Sequence, residues 1–394
     1  MARDQEITKH SRIFTKPELP FYLTIWCTVF LSALGLTMVL SASTVTSLQE
    51  NGNSYTIFLR QTLFLLIGFA AAYWAYRVKG VFWIQVAKLS LIISIFTLLL
   101  PFISFIGKDV KGNRNWIEFA GFTLQPSEFA KFGLILWCAL QLRNFDFHTE
   151  GKKKIISLFP AFVIVEAIIL IQKDLGTALL ILLIFSGMVF ISGAPAKWFI
   201  SLLILGIAIG SAFVFSSTYR MNRFGALFDP FDEKYYKFSG WQPAHSIMGM
   251  ASGGLWGSGL GASKQKWSNL AEAHTDFIFS VIGEELGLLG TLMVLGLYTS
   301  LIYAIIRIAL KTKDNFSRYA TAAVACWFIA QVTINIGSAI SLIPVIGVTL
   351  PLISYGGSSL LANLLAIGFV LSVARRTPEI AFGIKQRQLR KLQP

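Results

Sequence analysis

An all-α polytopic membrane protein of about ten transmembrane helices is the fold class this chain predicts, and three observations carry it. The 394 residues are 55% hydrophobic and only 14% charged. Apolar runs of about 18 residues or more, long enough to cross a hydrocarbon core, recur along most of the length. Lys and Arg gather in every second connection between those runs, as the cytoplasmic loops of membrane proteins do.

In order, the runs place spans at roughly 20–42, 55–77, 80–106, 127–142, 153–172, 175–193, 196–216, 277–310, 318–341 and 352–374. The fourth is short, and the eighth is long enough to begin outside the membrane. The first 19 residues are polar. The run after Pro20 is too long for a signal peptide and lacks a small-residue cleavage site, so it reads as an uncleaved first span. Three units follow: an N-terminal tail at 1–19, a transmembrane domain at 20–376 and a basic tail at 377–394. The tail reads as a solvated segment attracted to anionic lipid, with a cytoplasmic partner site as the alternative.

Basic residues orient the spans. Arg3, Lys9, Arg12 and Lys16 precede the first; Arg77 and Lys79 follow the second; Arg143 and Lys152 to Lys154 follow the fourth. Lys197, then Lys311, Lys313 and Arg318, and finally Arg375, Arg376 and the tail complete the set. An even span count puts all of these in the cytoplasm, with both termini inside the cytoplasmic membrane of a bacterium. This accounts for the net charge of +14 without a nucleic-acid partner. Cys27, Cys138 and Cys326 all sit in apolar spans and read as small core hydrophobes. The four histidines form no metal-spaced cluster, and no metal site is expected.

The connections at 43–54, 107–126, 172–175, 217–276 and 342–351 then lie outside. The fourth of these is about 60 residues long, well beyond ordinary connections. Its Phe, Tyr and Trp content argues for a fold over the outer mouth, with short amphipathic helices lying at the interface. Its glycines at 253, 254, 257, 259 and 261 follow no strand, so they read as turns or close packing rather than as a nucleotide site.

Polar constellations cluster on this outer side. Glu272, His274, Asp276, Glu284 and Glu285 crowd the mouth of the eighth span, where ionisable groups suggest function. The plain alternative is that Thr275 and Asp276 merely cap a helix. Arg114-Asn-Trp116-Ile leads into Gln125-Pro-Ser-Glu128-Phe-Ala-Lys131. Pro126 suits a helix start, and Glu128 and Lys131, three apart, share a face and can pair. Such a pair faces either the bundle interior or a wet cavity. Asp174 reads as a helix cap rather than a ligand. Arg220, Arg223, Lys264 and Lys266 are candidates for holding a phosphate. Ser354 and Ser358, in Ser-Tyr-Gly-Gly-Ser-Ser, open the last span where small residues allow close approach, for packing or for substrate.

Gln-Pro-Ser-Glu-Phe-Ala-Lys, Asp-Leu-Gly-Thr, Ala-Glu-Ala-His-Thr-Asp-Phe-Ile-Phe with Ile-Gly-Glu-Glu-Leu-Gly, and Ser-Tyr-Gly-Gly-Ser-Ser-Leu-Leu-Ala-Asn-Leu-Leu stand here in one order. In these motifs the chain resembles the SEDS family, which includes FtsW, RodA and SpoVE, and is most like its FtsW branch. The resemblance implies a peptidoglycan glycosyltransferase that polymerises lipid II into β-1,4 glycan strands at the outer face of the membrane, in division or elongation. It implies that Asp276 is the essential aspartate, that Glu128 and Lys131 are the functional Glu and Lys, and that Trp116 is the loop Trp. Arg114 and His274 are counted with the substrate contacts. A class B penicillin-binding transpeptidase, other divisome or elongasome membrane proteins and membrane lipid are the implied partners. Two departures stand out: Ala271 where Pro is usual, just before the site, and His245 where Gln is common. His245 is not taken as catalytic.

The chemistry suits the inventory. An α-linked lipid diphosphate that yields a β bond inverts at the anomeric carbon, so one base acting on the acceptor 4-hydroxyl suffices. A partly desolvated carboxylate is tuned for that task. The leaving diphosphate needs positive charge from Lys, Arg or a divalent cation, Mg or Mn; no organic cofactor is required. Two other readings stay open. A lipid II flippase needs a polar cavity but no indispensable outer carboxylate, and predicts charge deep in several spans; Lys88, Glu166 and Glu284–Glu285 are the mid-span candidates. A non-catalytic scaffold for cell-wall synthases predicts that Asp276 is dispensable.

Overall fold

In lipid every backbone N–H and C=O must be satisfied within the chain, so long apolar runs become helices. The computed structural model describes the backbone of residues 16–110, 113–119, 121–144, 147–215, 218–267 and 269–392. The first three helices are α1 (Leu19–Asn51), α2 (Thr56–Arg77) and α3 (Gly80–Leu99). A sheet of β1 (Gly107–Val110), β2 (Asn113–Phe119) and β3 (Phe122–Leu124) follows. Next come α4 (Pro126–Leu142), α5 (Phe147–Ile171), α6 (Leu175–Ile191) and α7 (Ala196–Phe215). The long connection holds α8 (Thr218–Phe228), α9 (Glu233–Tyr236) and α10 (Trp241–Gly253). The chain closes with α11 (Ile278–Lys311), α12 (Asn315–Ala339), α13 (Gly357–Arg376) and α14 (Pro378–Leu392).

Ten of these helices stand where the ten spans are expected. Six are long and apolar enough to cross a membrane by length and composition: α1, α2, α3, α11, α12 and α13. The others are shorter or less apolar. Among them α4 is buried on nearly every side, from Ser127 through Leu142, as expected of a helix without a polar face. Pro126 occupies its first turn, where a missing N–H costs nothing. Trp83 of α3 joins α4 to α13 by edge contacts with Phe132 and Phe369, at 5.9 and 5.1 Å between ring centres. Cys27 and Cys138 are buried and Cys326 half-buried, all as free thiols.

Five features depart from expectation. The connection at 107–126 is not an irregular loop but an antiparallel sheet in the order β1-β2-β3, with Lys108 opposite Trp116 and Glu118 opposite Thr123. The last span begins at Gly357, and Ser354 lies in the turn before it.

The eighth span is not continuous. Gly287 takes φ 67° and ψ −166° inside α11 and breaks its hydrogen-bond ladder. Gly257, at φ 81°, lies against it so closely that a Cβ on either would strike the other's backbone. Ser258 and Gly259 donate to the Glu284 and Glu285 carbonyls at 2.9 and 3.0 Å, while Leu288 donates to the Gly254 carbonyl at 2.9 Å. The glycines of the long connection thus dock it onto the kink. Nor does α10 lie loose at the interface: Ser246 donates to the Ala339 carbonyl and Ser280 to the Ser246 carbonyl, which wedges it against α11 and α12.

The basic tail is helical rather than loose. In α14, Ile380 and Gly383 are buried, Arg387 stacks 4.2 Å over the Tyr22 ring, and Glu379 meets Lys311 at 3.7 Å. Arg3, Lys9 and Arg12 lie outside the described residues.

Candidate active site

A cavity of about 1040 Å³ opens at one end of the bundle. All five connections assigned to the outer side contribute to it: Thr46 and Glu50, the sheet, Lys173 and Asp174, the segment at 270–276, and residues 344–349. Their meeting at one end is what an alternating ten-span path requires.

Asp276 lines this cavity and is half-buried. It does not cap α11. The helix starts at Ile278, and its cap position is Phe277, which makes no side-chain capping bond. Thr275 turns its hydroxyl back to the Glu272 carboxylate at 2.9 Å. Glu272 itself adopts a left-handed φ of 58°. Its carbonyl gathers the N–H groups of Thr275, Asp276 and Phe277 at 3.1–3.2 Å. The next carbonyls are each held by a different donor. Tyr355 N donates to His274 O at 2.9 Å, Ser354 Oγ to Thr275 O at 2.5 Å, and Asn335 Nδ2 to Asp276 O at 2.9 Å. The aspartate therefore rides on a segment strapped from both sides.

The wall behind is polar as well. Asp174 caps α6 through Thr177 N at 3.0 Å. Its second oxygen accepts from Asn115 at 2.6 Å, Gln125 at 2.9 Å and the Thr177 hydroxyl at 2.8 Å. The carboxylate thus latches the sheet to the bundle, and Trp116, on β2, lines the cavity as a result. Ser358 also lines it and accepts from Gln125 N at 2.9 Å.

Glu128 and Lys131 pair at 2.9 Å and are buried, at 6% and 0% exposure. They do not line the cavity; they lie under its floor. Lys131 sits 5.0 Å over the Trp327 ring and 3.5 Å from Gln331 Oε1. Gln331 in turn donates to Thr349 O at 2.9 Å, and Thr349 lines the cavity. Gln331 and Thr349 thus stand between the pair and that space.

The phosphate candidates divide. Arg223 lines the cavity and bonds to Val345 O at 3.1 Å. Lys266 lines it too, but is only 7% exposed and is occupied by Glu285 at 3.5 Å and Gly261 O at 2.6 Å. Lys264 and Arg114 are exposed and off the cavity. Lys264 contributes its backbone N–H to Glu284 at 2.8 Å instead. Arg114 stands on β2, where its N–H meets Gln172 O at 3.3 Å. Ser354 is buried as a strap rather than a substrate contact. His274 lines the cavity beside the Tyr355 ring, 5.5 Å away. The side chain of Arg220 lies outside the described residues. His245 is packed against Trp241 and Tyr236, with its Nδ1 at 2.9 Å from Trp241 O.

Two cavity cations are absent from the phosphate candidates that the sequence suggested. Arg60, one turn into α2, lines the cavity together with Tyr355. Lys173 lines it with a left-handed φ of 65°. An arginine near the mouth of an apolar helix was the signal available for the first. Glu284 and Glu285 clamp Ser41, Ser263 and Lys266 at the kink.

The comparisons agree with this architecture. The family model for the FtsW, RodA and SpoVE cell cycle proteins matches residues 22–379. A probable peptidoglycan glycosyltransferase FtsW of Mycobacterium tuberculosis is 38% identical over 372 residues, covering 94% of this chain and 70% of that protein. Among solved structures, a chain of a peptidoglycan synthase complex that coordinates polymerization and crosslinking superposes with a TM-score of 0.70 at 27% identity, covering 89% of this chain and 98% of that one. The rod shape determining protein RodA of Thermus thermophilus does so with a TM-score of 0.65 at 27% identity, covering 90% and 96%. The chain belongs to the FtsW/RodA/SpoVE family of membrane-spanning cell cycle proteins.

Proposed function

We propose that this protein is a peptidoglycan glycosyltransferase that polymerises lipid II, with Asp276 as the general base. The observation that carries the reading is a half-buried carboxylate on a strapped segment, lining the same cavity as Arg60, Lys173 and Arg223. The acceptor 4-hydroxyl gives its proton to Asp276 as its oxygen attacks the donor's anomeric carbon. The bond from that carbon to the diphosphate breaks with inversion. The departing charge falls to the cavity cations.

The distribution of Lys and Arg supports a cavity on the outer side with both termini in the cytoplasm; lipid-linked substrates would then keep their tails in the leaflet beside the mouth. A divalent cation is the alternative source of charge. Among the described residues no group of three or more His, Cys, Asp and Glu could hold a metal ion. A metal would therefore arrive with the diphosphate, and chelation tests whether it is needed. The relative in a synthase complex supports a class B penicillin-binding protein as a partner, which crosslinks the strands made here.

The decisive experiment supplies purified protein in liposomes with labelled lipid II. Glycan strands support the reading; translocation without polymer would make the protein a flippase, and neither would make it a scaffold. For topology, Lys237→Cys in a background without Cys27, Cys138 and Cys326 is expected to react with an impermeant thiol reagent in intact cells. Reaction only after permeabilisation would reverse the orientation.

A further inference from the structure

Trp327, Gln331 and Asn335 recur every four residues on α12, so they form one stripe. Gln331 and Asn335 are 0% and 1% exposed. A buried primary amide in an apolar bundle is costly unless its groups find partners. The partners here also fix which way each amide points. Asp276 O and Val348 O can only accept, so the NH₂ of Asn335 must face them; it reaches them at 2.9 and 2.7 Å. Trp327 Nε1 and Lys131 Nζ can only donate, so Gln331 Oε1 must face them, at 2.6 and 3.5 Å. That leaves Gln331 Nε2 for Thr349 O at 2.9 Å.

Neither amide lines the cavity; Asp276 and Thr349 do. The donors of both amides go mainly to backbone carbonyls of segments that form its wall. Consecutive carbonyls of that wall, Val348 and Thr349, are each taken by one rung. Gln331 also ties α12 to its neighbours, through Lys131 of α4 at 3.5 Å and Ser359 of α13 at 3.4 Å, whereas both donors of Asn335 go to wall carbonyls.

We propose that Asn335 is a positioning residue for the transfer reaction: it holds the backbone of Asp276 so that the carboxylate meets the acceptor hydroxyl, without touching substrate. This rests on the reading of Asp276 as the base. The bonded carbonyl belongs to the residue that carries the carboxylate. It is also the last of three consecutive straps, after His274 and Thr275. Gln331 extends the same device downward, so that the buried Lys131 leans on the wall through one amide.

The test uses full-length protein in liposomes with labelled lipid II. Asn335→Leu keeps the volume and removes both donors; Asn335→Ala is the second variant. Misplacing a reacting group by about 1 Å costs up to about 10²-fold in rate, so a fall of about tenfold or more in kcat is expected, with KM within about twofold. In an Asp276→Asn background the Asn335 change is expected to add nothing, because its effect runs through that carboxylate. Val324→Ala, a core truncation on the same helix away from the cavity, serves as the stability control. At a matched melting temperature it should keep its kcat.

Normal kcat from folded Asn335→Leu, a loss no greater than that of Val324→Ala, or an equal further loss in the Asp276→Asn background would each overturn the proposal. Normal turnover by Asp276→Asn alone would instead overturn the base assignment. Normal turnover by Asn335→Leu beside an inactive Asp276→Asn would overturn only the positioning role.

Discussion

The segment from His274 to Asp276 and the pair Glu128–Lys131 are both ionisable groups in apolar surroundings, and both fall in motifs of the family. The structure treats them in opposite ways. Asp276 is half-buried and lines the cavity, with its backbone rather than its carboxylate tied down by Asn335. Glu128 and Lys131 face each other at 2.9 Å under the floor and reach the cavity wall through Gln331. A motif thus marks where charge matters, but not whether that charge meets substrate or holds up the wall.

The largest effect expected from breaking this comparison is on stability. Lys131→Ala leaves Glu128 charged and buried, at a cost of about 3–5 kcal/mol. Its melting temperature should fall sharply, with activity falling alongside. The double variant Glu128→Gln, Lys131→Met removes both charges at similar volume and should recover most of the stability. A single variant that melts normally would mean that the pair is wetter than its burial implies.

Next come the cavity cations. Arg60→Ala removes a charge-assisted bond of about 1.5–3 kcal/mol if it holds the diphosphate, so KM for lipid II should rise about tenfold or more while the protein melts normally. An unchanged KM would assign the diphosphate to Lys173 and Arg223 alone. Asp174→Ala strips the α6 cap and leaves the Asn115 and Gln125 donors unmet, for about 1–3 kcal/mol by thermal melting. The smallest effect belongs to Lys264→Ala. That side chain is exposed and off the cavity, so stability should stay within about 0.5 kcal/mol and the polymerisation rate within about twofold. A marked loss there would bring the residue back among the phosphate contacts.

The helices were legible because a backbone in lipid has few alternatives, and an apolar run announces itself. The i,i+3 pairing of Glu128 with Lys131 and the cap at Asp174 were legible for the same local reason. The side that Glu128 and Lys131 face was not, since α4 is apolar nearly all round and carries no stripe to orient it. The sheet at 107–124 escaped because its strands are short and mixed in character, and the residue that latches it to the bundle, Asp174, lies some fifty residues onward. The straps on residues 274–276 escaped for a deeper reason. They grip backbone carbonyls, which every residue has, so no side-chain pattern at the receiving end records them. Lys266 reads as a free cation in the sequence because Glu285, 19 residues onward, is brought to it only by the folding of the long connection onto the kink.

Asp276→Asn tests the central claim most directly. It is nearly isosteric, and its backbone keeps the bonds from Asn335 and to Glu272. Purified variant and parent would be compared for glycan-strand synthesis from lipid II and for melting temperature. With the base lost and the straps intact, the rate should fall about 10²-fold or more while the melting temperature holds. Normal polymer from a normally folded variant would contradict the account, and so would a variant that loses rate only because it no longer folds.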